Sequence, residues 1–516
     1  MASVRKRLVP AVAIAACASL ALTTAPAAAG QLAAGDAPAG PRLAKQLVRK
    51  VHVGNINRHL IAFQRFSDRN GGNRAAGSDG YNESAEYIER KLEAAGYEVN
   101  RHEFEFTYTE TLAEQLTTGG GDVPIIAMTY SPSTPDGGIT APLAAISPDE
   151  TPGCEATDFG DVTGKIALIK RGACSFAQKG SSAAEAGAVG AIVYNHSPGP
   201  VNGTLGGPEN ATIPIGGITQ ADGEALVALD GSDVTLNIQT LTEERTTHNV
   251  IAETQTGRKD NVVMAGAHLD SVDDGAGIND NGTGSAALLE TALQLGGSPR
   301  VNNAVRFAWW GAEELGLVGS TRYVQSLDFE QQLNISMYLN FDMIGSPNAG
   351  YFAYDGDDSA GTGAGPGPYG SAQIEEKFVS FLGSRGIEVE DTDFSGRSDY
   401  GEFIEVGIPA GGLFTGAEVT KTPEQAAKWG GVAGIAFDPC YHQSCDHLGN
   451  VDRMALNRNA DAMAWTIGSY GISTEEVNGV PPFQAKSKKA TAKQRAHQRV
   501  ATVEVAEGSD PHSVQG

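Results

Sequence analysis

Residues 262–272 read V-V-M-A-G-A-H-L-D-S-V, an unbroken apolar run that ends abruptly in His268, Asp270 and Ser271. An apolar run without polar alternation is a strand buried on both faces, the pattern of a parallel sheet covered by helices. A glycine-rich turn follows, G-A-G-I-N-D-N-G-T-G at 275–284, and opens a helix expected over Gly284 to Leu295. The same grammar recurs downstream. V-R-F-A-W-W at 305–310 runs into G-A-E-E-L-G, M-Y-L-N-F-D-M-I-G at 337–345 carries Asp342, and V-I-A-E-T at 250–254 precedes them all. Alternating strands and helices predict an α/β fold, with a mixed, mostly parallel central sheet sandwiched by helices.

Upstream, the segment from Tyr81 has apolar residues at helical spacing, with Asn82 or Ser84 as caps and Gly96 as a stop, and a strand should follow over Glu98 to Phe106. Between about Tyr108 and Leu241 the texture changes to short β runs, such as K-I-A-L-I-K at 165–170 and A-I-V-Y at 191–194, around one helix at 177–186. This reads as a small β-rich domain inserted at 110–242. The main domain is therefore discontinuous, 45–107 and 245–472. The composition of 355–370 is that of a flexible loop. The tail 473–516 is rich in Lys, Arg and then Glu, has few large apolar residues, and reads as disordered.

A chain of 516 residues is too long for one ordinary domain, and 41% hydrophobic residues suffice for real cores. A net charge of −25 argues against a nucleic-acid partner, since phosphate backbones are bound by neutralising them. Arg5-Lys6-Arg7, the apolar run 8–22 and Ala27-Ala28-Ala29 form an export signal over residues 1–29. The mature chain is expected outside the cell, without a membrane span. The rival reading is a lipoprotein box at Ile14 to Cys17, with lipid on Cys17. Cys154, Cys174, Cys440 and Cys445 then remain for an oxidising compartment, and proximity suggests the pairs 154–174 and 440–445. A zinc site of four thiolates is the alternative, but the C-x2-C spacings of zinc modules are missing.

Ligands of open α/β sheets gather at the carboxyl ends of strands. Here those ends offer His268 with Asp270, Asp280 in the glycine-rich turn, Glu313-Glu314 and Asp342; C-Y-H-Q-S-C-D-H at 440–447 adds Tyr441, His442 and His447. Singly, each is an ordinary loop residue or helix cap. Together, two imidazoles and several carboxylates on one sheet edge would repel one another without cations, and this donor mix suits zinc. There are too many ligands for one tetrahedral ion, so two metals bridged by a carboxylate are expected, a hydrolase arrangement.

The ordered pattern H-x-D-S, Asp, E-E, Asp, C-Y-H resembles the co-catalytic di-zinc aminopeptidases of the secreted bacterial leucine aminopeptidase and aminopeptidase S/Y type. The resemblance covers roughly residues 45–106 and 247–471 and implies the zinc-exopeptidase fold. It implies that one zinc takes His268 and Asp342, the other Glu314 and His442, with Asp280 between them; spacing alone leaves His447 as open as His442. It further implies Glu313 as general base, Tyr441 as oxyanion donor, Asp270 as the holder of the His268 ring, and Arg397 of G-R-S-D-Y at the substrate rim. A structural ion pair of Arg397 with Asp399 is the other reading. Residues 110–242 resemble a protease-associated domain, through K-I-A-L-I-K-R-G-A-C-S-F and E-A-G-A-V-G-A-I-V-Y-N, which shapes access or is a spacer.

The residues and the resemblance together imply a secreted, monomeric metallo-aminopeptidase with two zinc ions per chain, acting on peptides and proteins with free N-termini. Other divalent metals could substitute, and calcium is not placed. The alternatives are a glutamate-carboxypeptidase-like di-zinc exopeptidase, with Arg397 gripping a carboxylate, and a binding protein that has lost its metals.

Overall fold

The computed structural model describes residues 40–363 and 365–482. The expected signal 1–29, Cys17 and the part of the tail from 483 onward lie outside the described residues.

The main sheet runs in the order Glu390–Thr392, Phe352–Tyr354, Ala410–Phe414, Ile335–Phe341, Arg258–His268, Asn303–Trp310, Asp233–Glu253. Its four central strands, from Ala410–Phe414 to Asn303–Trp310, are mutually parallel, while Asp233–Glu253 and Phe352–Tyr354 join antiparallel to them. Period-two alternation sends neighbouring residues of these strands into two different cores. Val263, Ala265, Phe307 and Trp309 pack with Leu60, Phe63, Ile88, Leu92 and Leu288 from the helices Val53–Arg69, Asp79–Ala94 and Gly284–Leu295. Met264, Ala308, Trp310 and Tyr338 pack on the opposite face with Tyr323 and Phe403, where Tyr338 stacks on Phe403 at 3.9 Å. Both faces are covered, which is why the strands read as nearly continuous apolar runs.

The helix 79–94 starts earlier than its pattern suggests. Its cap is Ser78, whose hydroxyl accepts from the Tyr81 N–H, and not Asn82 or Ser84. A hydroxyl three residues before a free N–H satisfies that donor, whereas Ser84 sits inside the helix and donates back to the Gly80 carbonyl.

The strand expected over 98–106 continues to Thr118, paired antiparallel with Asp233–Glu253 from Glu98 opposite Glu253 to Thr117 opposite Thr235. Two 21-residue strands thus form one ribbon joining the main sheet to a smaller one built from Ile139–Ala145, Ile166–Lys170, Gly190–Tyr194 and Ile215–Ile218. The smaller sheet has its own cores, around Leu143, Ile166, Ile192 and Leu236 on one side and Ile169, Ala183 and Val193 on the other. Disulfides join Cys154 to Cys174 in this smaller unit and Cys440 to Cys445 beside the main sheet.

Residues 473–482, expected to open the disordered tail, include a short helix, Glu475–Asn478, with Val477 fully buried and the Thr474 hydroxyl accepting from Asn261 Nδ2. One buried valine and one buried hydrogen bond anchor a segment whose composition alone is polar. Among the described residues no helix is long and apolar enough to cross a membrane.

Candidate metal centre

Three parallel strands deliver their side chains to one sheet edge. His268 is the last residue of its strand, Asp342 directly follows Phe341, and Glu313 and Glu314 sit in the turn after Trp310. Asp280 comes from the irregular turn 278–283 that opens the helix Gly284–Leu295; the Asp280–Asn281 peptide is cis. Two glycines let this turn fit. A Cβ on Gly277 would lie 2.3 Å from the Asp280 carbonyl oxygen, and one on Gly284 would lie 2.4 Å from that of Phe341. His442 is brought in by the Cys440–Cys445 loop, at whose tip it takes a left-handed backbone conformation with φ 55°.

The carboxylate of Asp280 stands between the two imidazoles, Oδ1 at 3.3 Å from His268 Nε2 and Oδ2 at 3.3 Å from His442 Nε2. His268 Nε2 is also 3.3 Å from Asp342 Oδ1 and 3.8 Å from Glu313 Oε2, while His442 Nε2 is 2.9 Å from Glu314 Oε2. His447 does not join the cluster: it is exposed, and its Nδ1 accepts from the Gly449 N–H in a local turn. Buried oxygens of Glu314 (Oε1) and Asp342 (Oδ1) have no hydrogen-bond partner among the described residues. Orphaned acceptors beside two imidazoles are the signature of a cation site, and the donor set fits zinc.

The electrostatics agree. Burial, and next the neighbouring Asp280, push Glu314 up to about 7. Burial raises Glu313 well above the usual carboxylate range, with the nearby His268 opposing and Asp342 adding to the shift. Burial alone would depress His442, but hydrogen bonds and charge from Asp280 and Glu314 raise it to about 10. The cluster thus holds protons in proportion to the positive charge it demands.

An outer layer holds the cluster in place. Ser398 Oγ donates to Asp342 Oδ2 at 2.6 Å and accepts from Asn340 Nδ2, and the chain continues through Tyr338 to the Trp310 indole. The Asp446 carboxylate accepts from the backbone N–H groups of Asn279 and Asp280, and Asp438 accepts from Asn279 Nδ2 and the Cys440 N–H. These contacts tie the Asp280 turn to the disulfide loop. Asp270 differs from expectation in the atom it uses: His268 Nδ1 donates to the Asp270 backbone carbonyl at 3.1 Å, with the carboxylate 3.7 Å away. That carboxylate instead accepts from the backbone N–H groups of Glu313 and Glu314 and so fixes the E-E turn.

Arg397 does not pair with Asp399, which is buried. Its guanidinium meets Glu418 at 2.8 Å and donates to the Tyr441 hydroxyl at 3.1 Å. Tyr441 stacks on His442 with ring centroids 3.9 Å apart, and its pKa is raised, by burial first and by Asp280 and Glu314 next. Arg397, Tyr441 and His442 open, with Asp280, Glu313, Glu314 and Asp342, on a cavity of about 210 Å³ that also includes Met343, Tyr354, Asp393, Tyr400 and Phe414.

Residues 249–467 match the model of peptidase family M28, and residues 139–226 match that of the PA domain. The chain is 45% identical over 464 residues to a probable lipoprotein aminopeptidase of Mycobacterium tuberculosis, covering 89% of this chain and 93% of that one. The chain belongs to peptidase family M28. It is also 45% identical over 456 residues to leucine aminopeptidase 2 of Trichophyton tonsurans, covering 87% of this chain and 90% of that one. Among solved structures it resembles an aminopeptidase from Aneurinibacillus sp. strain AM-1, with TM-score 0.67, 27% identity and coverage of 86% and 97% of the two chains. It likewise resembles a zinc aminopeptidase from Bacillus subtilis, with TM-score 0.60, 27% identity and coverage of 80% and 94%.

One residue of the M28 centre had no sequence signal. Arg74 is fully buried under the ligand turns, where its guanidinium donates to the carbonyls of Leu269, Ala276 and Gly277. Burial lowers its pKa to about 10, with Asp270, Asp446, Asp280 and Glu314 opposing the shift. Its position in the loop between the helices Val53–Arg69 and Asp79–Ala94, about 200 residues from its partners, gives it no motif. Arg74→Met should leave the buried carbonyls of Leu269 and Ala276 unpaired, that of Gly277 keeping the Gly282 N–H, and destabilise the zinc-loaded protein by roughly 2 kcal/mol or more. A urea midpoint equal to the wild type would show that water replaces the guanidinium.

Proposed function

We propose that this M28 peptidase is an exported aminopeptidase, removing N-terminal residues from peptides and proteins through two zinc ions with Glu313 as general base. The observation that carries the reading is the charge of the cavity. Asp280, Glu313, Glu314, Asp342 and Asp393 line it, against a single arginine already engaged by Glu418. With zinc offsetting the carboxylates that would bind it, Glu313 and Asp393 remain to attract the ammonium of a chain's first residue, and among the described lining residues no unengaged lysine or arginine waits for a terminal carboxylate. At about 210 Å³ it is also smaller than the roughly 300–1,000 Å³ of drug-sized ligand sites, which suits one residue rather than a length of chain. Relatives named as aminopeptidases on both the sequence and the structural side support the same reading.

His268 and Asp342 would hold one ion, His442 and Glu314 the other, with one Asp280 oxygen facing each imidazole. Bound zinc supplies Lewis acidity, lowering the pKa of an attacking water and polarising the scissile carbonyl. Glu313, whose carboxylate makes no hydrogen bond among the described residues, is free to accept that water's proton and pass it to the leaving amine. The Tyr441 oxygen accepts from Arg397, so its own proton is left to donate to the developing oxyanion. Asp270 acts through others, orienting the E-E turn. Export rests on residues 1–29 and on the two disulfides. N-terminal mass spectrometry of the cell-associated and released protein decides between cleavage near Ala29 and lipidation at Cys17.

The deciding assay offers the purified mature protein two peptides, one with a free amine and an amidated carboxyl end, the other N-acetylated with a free carboxylate. Cleavage of the first alone, abolished by chelator and restored by zinc, is expected. Cleavage of the N-acetylated peptide alone would make the protein a carboxypeptidase and turn Arg397 into its carboxylate anchor.

A further inference from the structure

The metal-binding side chains account for one wall of the active-site cavity. The remainder is built from Met343, Tyr354, Tyr400, Phe414 and Ala417, an apolar and aromatic surface, and from Thr392 and Asp393 at the end of the edge strand Glu390–Thr392. A carboxylate in such a wall is costly unless something positive meets it. Asp393 is half-buried, and among the described residues its carboxylate forms no hydrogen bond and no ion pair. It is also confined, because Gly363 lies against it: a Cβ there would be 1.9 Å from Asp393 Oδ1.

The surroundings reinforce the negative field. The Asp355 N–H donates to the Thr392 carbonyl at 2.8 Å, which brings Asp355, Asp357 and Glu375 next to this end of the cavity. Burial raises Glu375 to about 7, with Asp391, Asp357 and Asp355 adding to the shift, and Asp391 is raised by burial and by Asp355 and Asp357. Arg397, the one basic side chain on the cavity besides His442, is held by Glu418.

We propose that Asp393 is a specificity-determining residue that fits the cavity for an N-terminal lysine or arginine, a conclusion that rests on the aminopeptidase reading. The long methylene stem lies along Met343, Tyr354 and Phe414, and the cationic end reaches the Asp393 carboxylate, which has no partner among the described residues. A leucine occupies the same apolar walls and leaves Asp393 to water. The enzyme therefore takes aliphatic and basic first residues, and it owes the second class to one side chain.

The test compares lysine and norleucine p-nitroanilides, which share a stem and differ in the charged end. The zinc-loaded mature protein, Asp393→Asn and Asp393→Ser are each assayed for kcat/KM on both, and the lysine-to-norleucine ratio is read within each protein, so that partial loss of folded enzyme cancels. A wild-type ratio of one or above is expected, decreasing with added salt, and it should fall roughly 10- to 100-fold in both variants. Ratios in the variants equal to that of the wild type would overturn the proposal. So would a wild-type enzyme that takes norleucine and rejects lysine, a comparison that needs no variant to fold. If neither anilide is released while N-acetylated peptides are cut, the aminopeptidase reading itself fails, an outcome the ratio cannot mimic.

Discussion

Glu313→Gln is expected to lower kcat by about 10²- to 10⁴-fold on a free-amine peptide while the zinc content stays at the wild-type value. Glutamine keeps the volume and the nearly complete burial of Glu313, and the pairings of His268 with Asp280 and Asp342 do not pass through it. What is lost is the proton acceptor. Because the loss falls on proton transfer, KM should change little and the effect should appear in kcat. Metal analysis alongside steady-state kinetics separates this from loss of zinc. A zinc-replete Glu313→Gln protein with wild-type kcat would move the general base elsewhere in the cavity.

Removing the metal should abolish activity and destabilise the fold, and the destabilisation should grow with pH. In the metal-free protein Glu314 has its pKa raised from 4.5 to about 7. Over that window the folded state holds a proton the unfolded chain has already released, so stability falls as pH rises. His442 is raised from 6.5 to about 10, and the stability it confers is complete below pH 6.5 and lost as pH climbs through 10. The two groups act in the same direction. Asp280, held low by its two histidine neighbours despite burial, matters only below about its usual 3.8. Zinc binding runs the other way, because its ligands must be deprotonated. The gain in Tm on restoring zinc should therefore be larger at pH 8.5 than at pH 5, corresponding to about 4 kcal/mol where zinc exceeds its Kd a thousandfold. Thermal scans of chelated and reloaded protein at both pH values check this. Equal gains at the two pH values would mean that the clustered carboxylates are relieved by something other than the metal.

Much of this was legible in linear order. The apolar runs at 262–267, 305–310 and 337–341, interrupted only by Arg306 and Asn340, are strands covered on both faces, because only a residue buried above and below the sheet escapes polar alternation. Parallel strands place their carboxyl ends on one edge, so His268, Glu313, Glu314 and Asp342 can be grouped from the sequence alone. Other features left no local trace. The ribbon 98–118 has no break at Phe106, since pairing with 233–253 depends on a partner more than a hundred residues away. Arg397 meets Glu418 rather than its sequence neighbour Asp399, because residues one and two positions past it turn into the protein while its own side chain stays at the rim.

The sequence by itself determined the architecture, the inserted PA domain, and which residue types meet at the sheet edge, since these follow from hydrophobic period and from motifs only a few residues long. The tertiary structure alone decided that Arg74 and Asp446 hold the turns around Asp280 and that Asp393 lines the cavity, and it sets His442, which the C-Y-H resemblance had already preferred to His447, against Asp280. Each of these is a choice among chemically similar groups, and it depends on where a loop closes in space, set by contacts between residues far apart in the chain.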